Sequence, residues 1–310
     1  MSVSCMCNPT RYSWGRRTAT VVAASAVASV WAAQVQAADC TLQISQAPPS
    51  VRLDYDPFVP ATAPARMAFR IHNPGGEHCE ADLALVETPG VAIVRQAVAQ
   101  TGLTLEFRPE TEVTRSTVPS VFHVSVAPDQ TLEPTFDVAV VEDAVVQAGL
   151  YSQSLTLELR QPGSSVAYDR APVAIDLRAL PRAQMNLSGS RGAFGSGASV
   201  SVVDFGDAET GKTRQLFVQT RTNSAARLTF KSANGGRLML QGAGDTTASL
   251  AYAVVFDGSR LDLSQVATRD IDPPRTYAGQ SYDLELTLGT VGGARAGLYS
   301  DELTIEISTL

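Results

Sequence analysis

Apolar and polar residues alternate along most of this chain with a period of two, which predicts β-strands. The alternation is clearest at residues 284–288 and 303–307. Shorter runs of the same kind lie at residues 42–44, 67–71, 83–86, 103–107, 136–140, 200–205, 216–218, 228–230 and 251–256. Helical periodicity with caps is missing after the first 37 residues. Many short strands separated by turns favour an all-β fold of antiparallel sandwiches.

The chain contains a long internal repeat. Residues 148–158 (AGLYSQSLTLE) recur as residues 296–306 (AGLYSDELTIE), 148 positions later. The same offset relates the strand at 136–140 to that at 284–288, and Phe69 to Phe217. A constant offset over most of both halves indicates a tandem duplication of one domain. We therefore expect two sandwich domains in tandem, residues 38–180 and residues 181–310.

The two copies do not end alike. After its repeated strand, the first copy passes through the turn at 161–165 into another alternating strand at 173–177, whereas the second copy stops at Leu310. If that strand closes the first sandwich, the second is one strand short and has an apolar acceptor groove, although the extra strand could also be an ordered linker. Burying one apolar side chain stabilises a protein by roughly 1.5–3 kcal/mol, and each groove side chain left exposed to water forgoes this stabilisation. The predicted groove residues are Leu284, Leu286, Leu288, Leu303, Ile305 and Ile307.

The first 37 residues have the features of a cleaved signal peptide. Arg11, Arg16 and Arg17 precede an uncharged run at 18–33, and small residues stand at the positions expected before a cut after Ala37. The alternatives are a membrane anchor, for which the run is short, and the twin-arginine route. The pattern predicts a protein exported through the general secretory route.

Charge and cysteine content fit that compartment. Without residues 1–37, which carry three Arg and no acidic residue, the net charge changes from −7 to −10, which excludes a basic surface for nucleic acid. Cys5 and Cys7 would leave with the signal peptide. The remaining pair, Cys40 and Cys79, is expected to form a disulfide, with two free thiols as the alternative. By closing a loop of about 40 residues, this disulfide would add roughly 4 kcal/mol to the free energy of unfolding.

No motif in the sequence supports catalysis or cofactor binding. Residues 206–213 (GDAETGKT) match a phosphate-binding loop, but such a loop needs a helix after it and the following pattern predicts a strand. His72, His78 and His123 have no metal-ligand spacing, and no strained serine motif of the Gly-x-Ser-x-Gly type is present. We expect neither an enzyme nor a bound cofactor or metal.

The segment at 118–124 (VPSVFHV) allows two interpretations. As an exposed loop it would share the pole far from the second domain with the turns at 72–79 and 161–165, and its apolar side chains would contact a surface. As a strand it would bury Phe122, Val124 and Val126 on one face. The residues of the adhesive interpretation are Val118, Pro119, Val121, Phe122 and Pro162.

Several motifs of the second half resemble the spore coat protein U domain, which also builds the pilins of archaic, Csu-type chaperone-usher pili. They are VVDFG at 202–206, Gly211, the strand at 214–221, NGGRL at 234–238, Ala251-Tyr252 and AGLYSD at 296–301. The resemblance implies an incomplete immunoglobulin-like sandwich that is completed by donor-strand exchange. It also implies three partners: a periplasmic chaperone, an outer-membrane usher and the donor strand of an adjacent pilin. Many relatives have a cysteine pair near the start of this domain, which is missing here.

The resemblance also suggests a position in the pilus. Only Ala38 and Asp39 precede Cys40 after the predicted cut, so the chain is expected to accept a strand without donating one. We therefore expect an adhesin at the pilus tip, on the cell surface, that mediates attachment and biofilm formation through its first domain. Two alternatives stay open: a coat or matrix protein of the same family without a receptor, and a secreted hydrolase.

Overall fold

The alternating segments form β-strands in the computed structural model, except the one at 200–205, and the described residues contain no α-helix. The prediction of a strand at 200–205 is wrong, because this segment pairs with no described strand. These residues are 40–59, 63–87, 91–98, 101–142, 144–195, 197–242 and 248–310. The predicted signal peptide at 1–37 lies outside them. Within the described ranges no helix is long and apolar enough to cross a membrane. The all-β prediction is confirmed.

The first half of the chain forms one sandwich, which we call the first sandwich. Its strands are β1 (Gln43–Gln46), β2 (Ser50–Tyr55), β3 (Ala65–Ala68), β4 (Arg70–His72), β5 (Cys79–Val86), β6 (Arg95–Ala97), β7 (Thr104–Thr111), β8 (Thr114–Arg115), β9 (Val121–Val126), β10 (Thr131–Leu132), β11 (Thr135–Glu142), β12 (Gly149–Arg160) and β13 (Ala167–Ala179). Alternate side chains from its sheets meet in one core that includes Phe69, Phe107 and Phe136. Each of these three rings is at most 2% exposed.

In the largest sheet of the first sandwich, β13 lies between β2 and β12. One sheet has the order β2-β13-β12-β5-β9-β8, and the others are β3-β11-β7-β6 and β1-β4-β10. β13 pairs antiparallel with β12 along its whole length and parallel with β2 from Ala174↔Ser50 to Ala179↔Tyr55. The last alternating segment of the first copy is therefore a central strand of this sheet and not a linker.

The second half forms the second sandwich. Its strands are β14 (Ala183–Ser188), β15 (Thr213–Thr222), β16 (Ala226–Ser232), β17 (Arg237–Leu240), β18 (Ser249–Phe256), β19 (Ser259–Leu261), β20 (Ala267–Ile271), β21 (Gln280–Leu288), β22 (Tyr299–Ser300) and β23 (Leu303–Thr309). One sheet has the order β14-β15-β21-β18-β17-β22, with β19 on β18, and the other has the order β20-β16-β23. Phe230 and Phe256 pack in its core with ring centroids 5.2 Å apart.

A disulfide joins Cys40 to Cys79, as predicted, and their Cα atoms are 5.5 Å apart. Cys79 begins β5 and is opposite Val126, the last residue of β9. The bond therefore fixes the start of the described chain to the end of the first sandwich at which β5 begins.

The two sandwiches meet through a short connection, and the described residues form one compact unit. Leu180, directly after β13, donates its backbone N–H to the Tyr55 carbonyl at 2.9 Å. The Arg221 guanidinium at the end of β15 lies over the rings of Phe58 and Phe194, at 4.7 Å and 4.3 Å from their centroids. Burial of Arg221 lowers its pKa, although the nearby Tyr277 and Asp56 act in the opposite direction. This junction holds the second sandwich against one pole of the first.

Candidate functional site

The most unusual feature of the second sandwich is the edge of its last strand, β23. This strand pairs antiparallel with β16 from Leu303↔Ser232 to Thr309↔Ala226. Among the described residues no strand pairs with its other edge. Leu303, Ile305 and Ile307 point toward the core but are only half-buried, because nothing described covers them from that side.

The corresponding strand of the first sandwich is fully covered. Leu155, Leu157 and Leu159 of β12 lie 148 positions before Leu303, Ile305 and Ile307, and they are 2%, 0% and 0% exposed. The difference is β13, whose alternate side chains Val173, Ile175 and Leu177 are each 1% exposed. β13 thus shows, within the same chain, what fills the position left open beside β23.

The other wall of the open position is formed by the start of the second sandwich. β14 lies beside β23. Leu187 of β14 exchanges two backbone hydrogen bonds with Ala198, at 2.8 and 2.7 Å. The chain then runs on without pairing to any described strand, and Val200 and Val202 are 79% and 89% exposed. In the first sandwich the similar sequence at Ser50–Tyr55 forms β2, which is hydrogen-bonded to β13.

Only half of the predicted groove residues lie at this open edge. Leu303, Ile305 and Ile307 do, because they belong to β23. Leu284, Leu286 and Leu288 belong instead to β21, which is hydrogen-bonded on both edges, to β15 and to β18. They are 1%, 7% and 2% exposed in the core of the opposite sheet. Their prediction as groove lining is therefore corrected: they are core residues on which the side chains of β23 pack.

A polar cluster around Asp301 anchors the start of β23. Its carboxylate accepts hydrogen bonds from the Ser232 hydroxyl (2.5 Å), the Tyr252 hydroxyl (2.6 Å) and the Asn234 side-chain and backbone nitrogens (2.9 and 3.0 Å). Burial, and then the hydrogen bond to Asp301, raises the pKa of Tyr252. Asn234, Tyr252 and Asp301 belong to motifs of the family resemblance, whereas Ser232 belongs to none of them. Asp301 ties β16, β18 and β23 together, so the strand with the open edge is held in position.

The predicted adhesive residues are in two different environments. Val118 (45% exposed) and Pro119 lie in an exposed turn, and Pro162 is exposed in the turn after β12. Val121 and Phe122 are each 6% exposed in β9, and the Phe122 ring packs edge-on against Phe136 with centroids 5.1 Å apart. The adhesive interpretation of Val121 and Phe122 is therefore corrected, and the alternative interpretation as a buried strand agrees with the structure, because they begin a strand paired with β5.

The turn at 116–120 is also not at the predicted pole. β9 runs antiparallel to β5, with Val126 opposite Cys79 and Val121 opposite Ala84. The turn therefore precedes the end of β9 that is distant from the disulfide, about 17 Å along the strand. The turn after β12 lies at the disulfide end, where Gly163 donates its N–H to Asp82 at 2.8 Å. Val118 and Pro162 thus belong to separate surfaces.

Charged side chains that the sequence did not single out are buried on the β12 sheet. Glu158 is 1% exposed and pairs with Arg160 at 2.9 Å and with Arg170 at 2.7 Å. Burial alone would raise the pKa of Glu158, but hydrogen bonds from Arg170 and Arg160 outweigh it and lower the pKa. In a period-two pattern Glu158 reads as a solvent-facing residue, so only the fold reveals its burial.

The apparent phosphate-binding loop at 206–213 has ordinary local contacts. β15 begins at Thr213, where a phosphate site would need a helix. The Lys212 ammonium donates to the Asp207 carbonyl at 2.9 Å and pairs with Glu209 at 3.4 Å. Within the described ranges no group of three His, Cys, Asp or Glu side chains is arranged to hold a metal ion.

Comparison with known proteins finds similarity only in structure. No family model and no curated protein matches the chain, so the resemblance to the spore coat protein U domain stays a prediction. Solved structures similar to this chain include the CsuC–CsuE chaperone–tip adhesion subunit complex of archaic Csu pili from Acinetobacter baumannii. Its identity is 11% and its TM-score 0.45, over 84% of this chain and 99% of that chain.

Two further structures have the same kind of likeness. The CupB6 tip adhesin from Pseudomonas aeruginosa is 15% identical with a TM-score of 0.32, over 86% of this chain and 93% of that chain. The CFA/I adhesin CfaE of enterotoxigenic Escherichia coli is 12% identical with a TM-score of 0.37, over 84% and 92%. The similarity of this chain to these three proteins is one of fold alone, at low sequence identity.

Proposed function

We propose that this protein is the tip adhesin of a chaperone-usher pilus and acts by binding, not by catalysis. The first domain (38–180) would contact a surface, and the second (181–310) would join the protein to the next subunit. The observation that carries the proposal is the contrast between the two sandwiches. The first is closed by its own β13, while the second has an open edge on β23 among the described residues. Within the described ranges β12 is paired on both edges, whereas its counterpart β23 is paired only with β16 and can accept a strand on its other edge.

The incoming strand would take the place that β13 takes in the first sandwich. It would run antiparallel to β23, as β13 runs antiparallel to β12, and parallel to the segment at 199–205, as β13 runs parallel to β2. The register of the first sandwich pairs Leu155 with Val173, so the residue opposite Leu303 would be apolar. Such a strand gains affinity from backbone hydrogen bonds and specificity from alternate side chains.

The open edge of β23 would need partner proteins to cover it, because an uncovered edge is unstable. A row of unpaired backbone groups above half-buried apolar side chains is a template for aggregation. A periplasmic chaperone would cover it after export, and an outer-membrane usher would then exchange the chaperone for the donor strand of the adjacent pilin. The protein would end on the cell surface at the pilus tip and support attachment and biofilm formation.

The surface-contacting part of the first domain would be found among exposed apolar side chains. Val118, Pro119 and Pro162 remain from the predicted set, and Val166, 62% exposed, lies beside Pro162. Exposed apolar side chains bury area against a surface without requiring a matched hydrogen-bond pattern. Weak contacts of this kind would be strengthened by the many pili on one cell.

The test is a pair of single substitutions in the full chain, Ile305→Asp and Glu306→Lys, expressed in cells that lack the wild-type gene. Ile305 faces the open position and Glu306 faces solvent on the same strand. We expect Ile305→Asp protein to be exported but absent from pili, and cells producing it not to attach. Glu306→Lys should behave as wild type. Immunogold labelling of Ile305→Asp protein at pilus tips, at the wild-type level, would contradict the proposal.

A further inference from the structure

Two hydrogen bonds join the second sandwich to the pole of the first, in addition to the contact between Arg221 and Phe58 described above. A carboxylate oxygen of Asp56, directly after β2, accepts a hydrogen bond from the Arg182 guanidinium at 2.5 Å. The Ala148 N–H, directly before β12, donates to the Asn223 carbonyl at 2.9 Å. The Arg182 backbone N–H also donates a hydrogen bond to the Asn223 side-chain oxygen at 2.7 Å, so these two contact residues are held together. The first sandwich thus offers an acid and a backbone N–H to the module that follows it.

The second sandwich builds the same pole 148 positions later. Asp56 Oδ1 accepts the N–H of Phe58 at 3.0 Å, and Asp204 Oδ1 accepts that of Gly206 at 2.7 Å. The Tyr151 hydroxyl donates to the carbonyl four residues earlier at 2.9 Å, and the Tyr299 hydroxyl does the same at 2.9 Å. The turn that follows Asp56 or Asp204 and the turn that precedes the repeated Gly-Leu-Tyr segment are therefore alike in both sandwiches.

The groups that make the junction lack partners at this second pole. Asp204 Oδ2, the counterpart of the oxygen that binds Arg182, forms no ion pair with any described residue, and Asp204 is exposed. The N–H of Ala296, the counterpart of Ala148, forms no hydrogen bond within the described ranges, and Ala296 is also exposed. By contrast, the Asp56 side chain is 18% exposed.

We propose that the pole formed by Asp204 and Ala296 is the docking surface for the next pilus subunit, in the geometry by which the second sandwich docks on the first. This inference rests on the proposed strand acceptance. A strand that follows the course of β13 ends beside the segment leading to Asp204, just as β13 ends beside Tyr55. The residue three positions after β13 is Arg182. The partner is therefore a pilin with a basic residue three positions after its inserted strand.

Charge supports a basic partner. Asp204, Asp207 and Glu209 are all exposed near this pole. The two nearby cations have partners of their own: Lys212 contacts the Asp207 carbonyl and the Glu209 carboxylate, and Arg214 donates to the backbone carbonyls of Asp204 and Phe205. An acidic patch that meets a basic residue favours the correct register of docking and disfavours partners with an acid at that position. The pole would thus select among pilins by the charge that follows their donor strand.

The probe is a fluorescein-labelled peptide of residues 167–182 of this chain (AYDRAPVAIDLRALPR), which contains β13 and Arg182. The full mature chain is refolded with the peptide, and dissociation constants are measured by fluorescence anisotropy. A second peptide has Arg182→Glu. Chain variants are Asp204→Lys and, as a control with the same change in charge, Glu285→Lys, which is exposed in the middle of β21.

The wild-type chain is expected to bind the Arg182→Glu peptide about two- to fivefold more weakly than the Arg182 peptide, the range for a partly exposed ion pair. Asp204→Lys should reverse this preference, and Glu285→Lys should keep it. Equal binding of both peptides to the wild-type chain would overturn the docking surface while leaving strand acceptance intact. If neither peptide bound, strand acceptance would be refuted and the docking surface with it.

Discussion

The open edge of β23 predicts different costs for the same truncation in the two sandwiches. Leu157 of β12 and Ile305 of β23 are equivalent positions, 148 residues apart. Leu157 is 0% exposed beneath β13, and Ile305 is half-buried beside the open position. Leu157→Ala and Ile305→Ala remove side chains of equal volume, so they form a matched pair within one protein.

The expected magnitudes follow from burial. Truncating a fully buried Leu to Ala costs about 2–5 kcal/mol, because a cavity is added to the lost transfer free energy. Ile305 is partly exposed beside the open position, so its truncation removes transfer free energy but leaves no enclosed cavity, and Ile305→Ala should cost about 1–2 kcal/mol in the free chain. With the peptide of residues 167–182 bound, the cost of Ile305→Ala should rise to that of Leu157→Ala.

Hydrogen exchange of the mature chain in increasing urea, resolved by mass spectrometry of peptides from β12 and β23, assigns each loss of stability to one sandwich. The free energy of opening is compared for the wild type and the two variants, without and with the peptide. The reasoning would be refuted if Ile305→Ala cost as much as Leu157→Ala in the free chain, because Ile305 would then be fully supported by residues of this chain.

Three further predictions concern the first sandwich. Replacing both Cys40 and Cys79 by Ser should lower the free energy of unfolding by about 2–5 kcal/mol, and wild type with reductant should match the variant in urea denaturation. The pKa of Glu158 is lowered in the folded state, so its contribution to stability is present above its ordinary pKa of about 4.5 and is lost as the pH falls through the folded value. Glu158→Gln should thus lose less stability than wild type between about pH 6 and about pH 3, and equal losses would count against the paired carboxylate. Val121→Ser with Phe122→Ser should lower stability by about 3 kcal/mol or more and reduce export, whereas an unchanged melting temperature would contradict their burial in β9.

Most strand positions could be predicted from the sequence, although the alternating segment at 200–205 is not a strand. Period-two alternation at Val173, Ile175 and Leu177 identified β13, because one face of this strand is core and the other is more polar. The same rule identified β23 and β21 but could not say which sheet contains each. Leu284 was therefore assigned to the groove, although β21 is flanked on both edges in the opposite sheet. Sheet membership depends on pairing partners far away in the sequence.

Side-chain environments were less predictable where local pattern and tertiary packing disagree. Phe122 follows a Pro-containing turn, so an exposed loop and a buried strand were both compatible with its neighbours in sequence. Asp301 looked like one polar residue of a repeated motif, yet it accepts hydrogen bonds from Ser232 and Tyr252, which come from two other strands. Such contacts join residues 49 or more positions apart, and no local spacing encodes them.

The continuity of β13 with the second sandwich has a mechanical consequence. β13 ends at Ala179, and β14 begins at Ala183, so a pull on the second sandwich is applied to the end of β13 through three residues. Hydrogen bonds in a sheet lie across the strands. A force along β13 therefore shears its bonds to β12 and β2 together, instead of opening them one at a time from an end. The strand that closes the first sandwich is also the one that bears tension, and to fail it must slide past both neighbours at once.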